Sequence, residues 1–215
     1  MADKEYQNVD ISKFDSAINE LQEFYRSSLQ NPLLSGLNSK LVGEIGELIV
    51  ARELLTRNHQ CRIIKKGGHA GCDIELSVNG NEHRLEVRTK HDNGEMNNGA
   101  YLKSVKGIGW RILGKGAKRK FDFIVLLGID DSANKTCTYI LSYDEAYKLS
   151  IKEPDRRYSS TDRCIHLLRC NIDDSILRKT TYDDAPGGRT NLCDSLKKIA
   201  DELPDYDNGW AKLFK

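Results

Sequence analysis

Two acidic and two basic residues in the middle of the chain have the types and spacing of a metal and phosphate site. Asp73 begins a segment in which polar and apolar residues alternate, and Glu86, Arg88 and Lys90 follow in the next such segment. Side chains two positions apart in a β-strand point to the same face, so the last three are expected to project together. Asn79-Gly80 between the segments is a strong hairpin turn signal, and a hairpin places Asp73 close to Glu86.

Carboxylates that converge on one point repel each other unless a cation lies between them. Asp73 and Glu86 offer only oxygen ligands. Such ligands suit Mg²⁺, with Mn²⁺ as a substitute, because these ions keep several waters and complete their shell with substrate phosphate. A cationic side chain beside the metal can hold a phosphate oxygen and orient the attacking water, which is the role predicted for Arg88 and Lys90. The alternative is an ordinary polar hairpin face on which Arg88 is a cross-strand ion-pair partner.

The elements that must position these residues are indicated by the hydrophobic periodicity and by capping signals. These predict helices over four segments: 10–30, 38–57, 143–149 and 191–203. Strands are predicted over six segments: 61–64, 73–78, 83–90, 121–129, 137–141 and 164–168. A polar, glycine-rich stretch covers 91–119, with a short helix expected around 101–106. This order predicts a mixed α/β (α+β) fold in which helices flank a central mixed sheet.

Three segments of the chain resemble motifs of the PD-(D/E)XK nuclease superfamily, and they follow one another as the superfamily's motifs do. Residues 71–74 (Gly-Cys-Asp-Ile) and 85–89 (Leu-Glu-Val-Arg-Thr) together resemble its Asp…Glu-x-Lys signature. Residues 43–51 (Gly-Glu-Ile-Gly-Glu-Leu-Ile-Val-Ala) resemble the Gly-Glu-x-x-Ala helix that precedes the signature in many members. Residues 120–125 (Lys-Phe-Asp-Phe-Ile-Val) resemble the buried strand that follows it, so the resemblance spans about 39–150.

The resemblance implies a restriction-endonuclease-like core and a metal-dependent DNA endonuclease, of the type II restriction kind or another defence or repair nuclease. Glu47 would then join Asp73 and Glu86 as a metal ligand, with Glu44 one turn away as a competitor for that role. Double-stranded DNA is the expected partner. A homodimer is a further expectation by analogy, because palindrome-cutting members act as dimers. The expected organisation is an N-terminal helical extension over 1–37 and a nuclease-like domain over 38–215.

One residue departs from the signature. Arg88 stands where the family has lysine, and a guanidinium does not give up its proton in a protein, so Arg88 cannot act as a general base. It can still hold phosphate through two nitrogens, helped by Lys90 on the same face. The other interpretation is a catalytically degenerate domain that binds DNA or a protein partner without cleaving it.

Positive charge is concentrated in one segment of a chain whose net charge is only +1. No Asp or Glu occurs between Met96 and Phe121. Seven basic residues occur there: Lys103, Lys106, Arg111, Lys115, Lys118, Arg119 and Lys120. This asymmetry predicts a face that grips the DNA backbone, although a solvated basic loop would have the same composition. Trp110 in the same segment is expected either to stack on a base or to pack internally.

Three further features bound the interpretation. No apolar run approaches the length of a membrane span, and the polar N-terminus is unlike a signal peptide, so we expect a cytoplasmic protein. Its six cysteines are then expected to be reduced thiols. His59, Cys61, His69 and Cys72 could be interpreted as a zinc site, but their spacing is irregular and the cysteines suit apolar strand positions.

Overall fold

In the part of the chain that the structure describes, four α-helices frame the sheets. The computed structural model describes residues 10–64, 72–92, 102–113, 121–152, 163–177, 188–207 and 209–214. The helices are α1 (Ile11–Leu29), α2 (Asn38–Thr56), α3 (Tyr143–Leu149) and α4 (Gly188–Glu202). The Asp10 side chain caps α1, and a capping box formed by Ser142 and Glu145 begins α3. The helices predicted over 10–30, 38–57, 143–149 and 191–203 are confirmed to within a few residues.

The main sheet has five strands in the order β1-β2-β3-β5-β6. They are β1 (Gln60–Ile63), β2 (Ile74–Val78), β3 (Asn81–His91), β5 (Phe123–Ile129) and β6 (Lys135–Ser142). All neighbours are antiparallel except β3 and β5, which run parallel. The sheet is therefore mixed and lies against helices, which confirms the predicted fold class.

The smaller sheet was only partly predicted. It has the order β4-β8-β7 and consists of β4 (Gly107–Leu113), β7 (Ile151–Lys152) and β8 (Arg163–Leu168). Only β8 was expected. The helix predicted around 101–106 is wrong for 102–106, where Leu102 instead forms an isolated bridge with Leu177. The glycines and lysines in this stretch hid the alternation of buried residues in β4, which becomes a strand by pairing with β8.

Both faces of β5 are buried, which explains its continuous apolar sequence. On one face, Val125 packs in a cluster with Val50 and Leu54 of α2. On the other face, Leu126 packs in a cluster with Trp110 of β4. The Trp110 ring is fully buried and its Nε1–H donates to the Leu127 carbonyl at 3.0 Å, so of the two expected roles the structure gives it internal packing.

Helix α1 contributes to the core of the protein. Tyr25 is 1% exposed and packs in a cluster with Ile45 of α2 and with Leu127 of β5. Burial raises the pKa of its hydroxyl to about 12, helped by the nearby carboxylates of Asp131 and Asp130. The boundary at residue 37 between an extension and a main domain stays a prediction. In the part of the chain that the structure describes, no helix combines the length and apolar character of a membrane span.

The hairpin between β2 and β3 sets the register of the candidate site. Asn79 and Gly80 both have positive φ, 51° and 80°, as a two-residue type I′ turn requires. The resulting register pairs Ile74 with Leu85. Asp73, just before β2, is therefore level with Glu86, which confirms that the hairpin brings these two positions together.

Candidate active site

Asp73 is fixed where β2 begins. Its N–H donates to the Leu85 carbonyl at 2.9 Å, and its own carbonyl accepts the Ile64 N–H at 2.8 Å. Its carboxylate Oδ2 accepts the Val87 N–H at 2.8 Å, so a side-chain oxygen satisfies this amide of β3. Because Val87 follows Glu86 directly, this bond holds the Asp73 carboxylate beside Glu86.

Glu86 is a buried charge with a cationic partner. The residue is 8% exposed and lies on the face of β3 opposite Leu85 and Val87, which pack toward α2. Its Oε1 forms an ion pair with Nη2 of Arg88, whose side chain is 46% exposed. Burying a carboxylate is costly unless it is paired, so the position of Glu86 requires a cation close by. Arg88 is thus a same-strand partner of Glu86 instead of the cross-strand partner that the sequence left open.

The charges of Asp73 and Glu86 both affect the pKa of the Cys72 thiol. Burial is the main reason that the pKa of Cys72 is raised, and the charges of Glu75, Asp73 and Glu86 raise it further, while Arg84 lowers it. The register of the β2–β3 hairpin, which pairs Ile74 with Leu85, places Asp73 level with Glu86.

Lys90 lies two residues beyond Arg88 and therefore on the same face of β3. Its register partner in β5 is Gly128, and the side chain is exposed. Lys90 makes no ion pair with any residue that the structure describes. Lys90 therefore adds an exposed positive charge to this face of β3.

Two carboxylates held in this way fit a hard divalent cation. One is anchored by a backbone N–H, and the other is buried and needs positive charge. Mg²⁺ in particular binds through one or two carboxylates and keeps waters or phosphate oxygens in its remaining positions. The donor set of Asp73 and Glu86 is therefore chemically suited to Mg²⁺ or Mn²⁺.

Glu47 is placed on a different element from this pair. It lies half-buried on α2, next to Gly46, which packs against Thr89 on the opposite face of β3. Among the described residues, no three His, Cys, Asp or Glu side chains are grouped to hold a metal ion, so Glu47 is not brought together with Asp73 and Glu86 as a trio. Its role as a ligand stays a prediction. The competitor Glu44 pairs with Lys40 at 3.8 Å.

The basic segment is described only in part. Lys103, Lys106 and Arg111 are exposed, and Nζ of Lys103 donates to the Ser175 carbonyl. The remaining predicted DNA-contacting residues lie outside the described part of the chain: Lys115, Lys118, Arg119 and Lys120. The role of this segment in gripping DNA stays a prediction.

The zinc interpretation finds no support in the described residues, where no three potential ligands cluster. Cys61 packs beside α2, and its thiol donates to the Ala51 carbonyl at 3.6 Å. Burial raises the pKa of this thiol to about 12, which is the behaviour of a core cysteine. His69 lies outside the described residues.

Two arginines near the site were missed by the sequence analysis. Arg62 of β1 pairs with Glu75 of β2, and Arg84 of β3 pairs with Asp122 at 3.3 Å. The signal was available, because Arg84 precedes Glu86 by two residues and therefore shares its face. Both side chains are nearly half exposed, so they present charge to solvent on the face of the main sheet where the smaller sheet packs against β3, β5 and β6.

Comparisons with known proteins give a likeness to solved structures. No family model matches the chain, and no curated protein matches it. The solved structure of a bacterial homing endonuclease, I-Ssp6803I, is similar with a TM-score of 0.45 and 14% sequence identity, over 81% of this chain and 91% of that protein. These values carry no conclusion about function, which must come from the site itself.

Proposed function

We propose that this protein is a metal-dependent DNA endonuclease that hydrolyses phosphodiester bonds, of the restriction, defence or repair kind. The observation that carries the proposal is the Asp73 carboxylate on the Val87 N–H, beside the buried Glu86, with Arg88 and Lys90 on the same face of the strand. A half-buried and a buried carboxylate beside solvent-facing cations suit a substrate that carries negative charge and is cut with help from a metal.

Each side chain has a defined part in this proposal. Asp73 and Glu86 would hold Mg²⁺ or Mn²⁺. The bound ion would supply Lewis-acid polarisation of the scissile phosphate and a water of lowered pKa. Arg88 and Lys90 would bind phosphate oxygens, with the guanidinium contributing two nitrogens and no proton transfer. Double-stranded DNA is the proposed substrate.

Plasmid nicking with Mg²⁺, and with EDTA in its place, tests the proposal. Asp73→Asn keeps an oxygen that can accept the Val87 N–H but removes the charge, and Glu86→Gln likewise keeps the shape of the side chain. We expect metal-dependent nicking by the wild type. Each variant is expected to lose about a hundredfold or more in rate, because a metal ligand is lost while the fold is retained.

Glu75→Gln is the matched control. Glu75 lies two residues from Asp73 on the same side of β2 but pairs with Arg62. This variant should keep most of the nicking activity, and thermal melts should show all three variants folded. Nicking that persists in EDTA, or equal rates for Asp73→Asn and Glu75→Gln, would contradict the proposal.

A second candidate function is nucleic-acid binding without cleavage. The ion pair between Glu86 and Arg88 favours it, because the arginine already supplies the cation that the buried carboxylate needs. Electrophoretic mobility shift with a duplex oligonucleotide distinguishes the two functions. Retained binding in EDTA, together with no nicking under any divalent cation, would support the binding protein over the enzyme.

A further inference from the structure

Arg84 and Arg88 occupy equivalent places on one face of β3 but have different partners. Their side chains are 44% and 46% exposed. Arg84 pairs with Asp122 at the start of β5, whereas Arg88 pairs with Glu86, one of the two carboxylates of the candidate metal site. Only Arg88 therefore uses an oxygen that a metal ion would need.

This arrangement makes Arg88 and a divalent cation rivals for the same carboxylate. Glu86 is buried and the guanidinium is half exposed, so Arg88 is the member of the pair that can turn toward solvent. We propose that Arg88 is an internal counter-cation of Glu86, that a divalent metal displaces it, and that the released guanidinium then binds nucleic-acid phosphate. The inference rests on the proposed function, because it concerns the same site.

The charges of the surrounding face support the same coupling. Among the described residues, Arg62, Arg84 and Arg88 are each neutralised by a carboxylate partner. Lys90 and Asp73 add one charge of each sign, so these four described cations and their four carboxylates carry no net charge without a metal. A polyanion binds where positive charge is in excess, and a divalent ion that frees Arg88 creates that excess.

The coupling has a thermodynamic consequence that can be measured. If metal frees Arg88 for phosphate, then metal strengthens nucleic-acid binding, and nucleic acid strengthens metal binding by the same factor. Removing the Arg88 side chain should affect metal binding and the metal dependence of nucleic-acid binding in opposite directions. Metal should bind more tightly because its rival is gone, and the gain in nucleic-acid affinity on adding metal should shrink.

The first measurement is Mn²⁺ affinity without nucleic acid, from the electron paramagnetic resonance signal of the free ion. Arg88→Met is compared with the wild type and with Arg84→Met, which removes a similarly exposed charge from the same face of β3. We expect Arg88→Met to bind Mn²⁺ about five- to tenfold more tightly than the wild type. Arg84→Met should stay within about twofold of the wild type, because its partner is Asp122.

The second measurement is fluorescence anisotropy of a phosphorothioate DNA duplex, which resists cleavage, with and without Mn²⁺ at constant ionic strength. Mn²⁺ should strengthen duplex binding by the wild type about tenfold. Arg88→Met should lose most of this metal effect, whereas Arg84→Met should retain it. An equal metal effect in both variants would overturn the coupling.

The outcomes separate this inference from the proposed function. A wild type that binds no Mn²⁺ overturns both. A wild type that binds Mn²⁺ and nicks plasmid, with equal Mn²⁺ affinity in Arg88→Met and Arg84→Met, overturns only the role of Arg88 as a counter-cation. Should Arg88→Met not fold, Arg88→Gln takes its place. Its neutral amide can still donate a hydrogen bond to Glu86, and it carries the same prediction of tighter Mn²⁺ binding because the positive charge is removed.

Discussion

The hydrogen bond from Val87 N–H to Asp73 decides the local geometry of the candidate site. It uses one carboxylate oxygen to satisfy the amide of the residue after Glu86. Aspartate suits this position because its short side chain reaches backbone amides close by, as it does in turns and helix caps. Asp73 is thus a structural acceptor and a candidate ligand at once, which is why Asp73→Asn separates the two roles better than Asp73→Ala does.

The buried imidazole of His166 gives a pH-dependent prediction at the same scale. His166 lies in β8, is 4% exposed, and burial lowers its pKa from 6.5 to about 4. As pH falls, the unfolded chain therefore takes up this proton before the folded protein does. Stability should be complete above pH 6.5 and fall by about 3 kcal/mol between pH 6.5 and about 4, with no further loss from this residue below that.

Urea unfolding at several pH values between 7 and 4 measures this effect. His166→Gln should be less sensitive to pH than the wild type across that range. The control is His83→Gln, which changes a half-buried histidine of β3 that packs edge-on against Phe123 and leaves His166 in place. If the stability of His166→Gln fell with pH as steeply as that of the wild type, burial of this imidazole would not be the cause of the pH dependence.

At the scale of elements, the close approach of α2 to β3 depends on Gly46. A Cβ added at Gly46 would lie 1.7 Å from Oγ1 and 2.7 Å from Cβ of Thr89. Any side chain at this position therefore pushes the helix away from the strand that carries Glu86. The glycine beside Glu47 in the sequence motif has a packing role whatever Glu47 does.

Replacing Gly46 by alanine should separate α2 from β3. We expect Gly46→Ala to destabilise the protein by about 2–3 kcal/mol, measured by urea unfolding, because backbone or strand must shift to relieve the clash. Gly43→Ala on the same helix is the matched control, since a Cβ there meets nothing within 4 Å. That control should stabilise the protein by about 0.5–1 kcal/mol through the helix propensity of alanine. Equal effects of the two substitutions would refute the close-packing explanation.

At the scale of the whole molecule, a buried ion pair joins the two sheets. Asp92, just after β3, accepts hydrogen bonds from Arg169 at 2.9 and 2.6 Å and from the Thr136 hydroxyl at 2.7 Å. Its carboxylate is only 1% exposed, while Arg169 follows β8 of the smaller sheet. The hydrogen bonds with Asp92 are the main reason that the pKa of Arg169 is raised. This pair holds the smaller sheet against the end of the strand that carries the candidate site.

Loss of this pair should cost far more than loss of an exposed one. Arg169→Met removes the cation that faces the buried Asp92 carboxylate, and we expect a loss of about 3 kcal/mol in the free energy of unfolding. Arg52→Met is the control, because Arg52 is equally exposed at 43% and also joins two elements, but its partner Asp15 is 45% exposed. That change should cost less than about 1 kcal/mol. Similar losses of stability in Arg169→Met and Arg52→Met would contradict a larger contribution of the Arg169–Asp92 pair.

The features that depend on local periodicity and turn conformation could be predicted from the amino-acid sequence alone. The alternation in β2 and β3, together with Asn79-Gly80, predicted the hairpin and brought Asp73 level with Glu86. The helices α1 and α2 followed from apolar residues three and four positions apart. These features are local, because side-chain direction repeats with the backbone and a positive φ selects particular residues.

Which strands pair and which charges meet was settled by the three-dimensional fold. The parallel pairing of β3 with β5, and the strand β4 inside a glycine-rich stretch, depend on contacts between distant segments. The sequence placed Arg88 and Glu86 on one face, but their ion pair follows from the burial of Glu86 by the rest of the fold. Packing sets how strongly a charge needs a partner, and no local pattern contains that information.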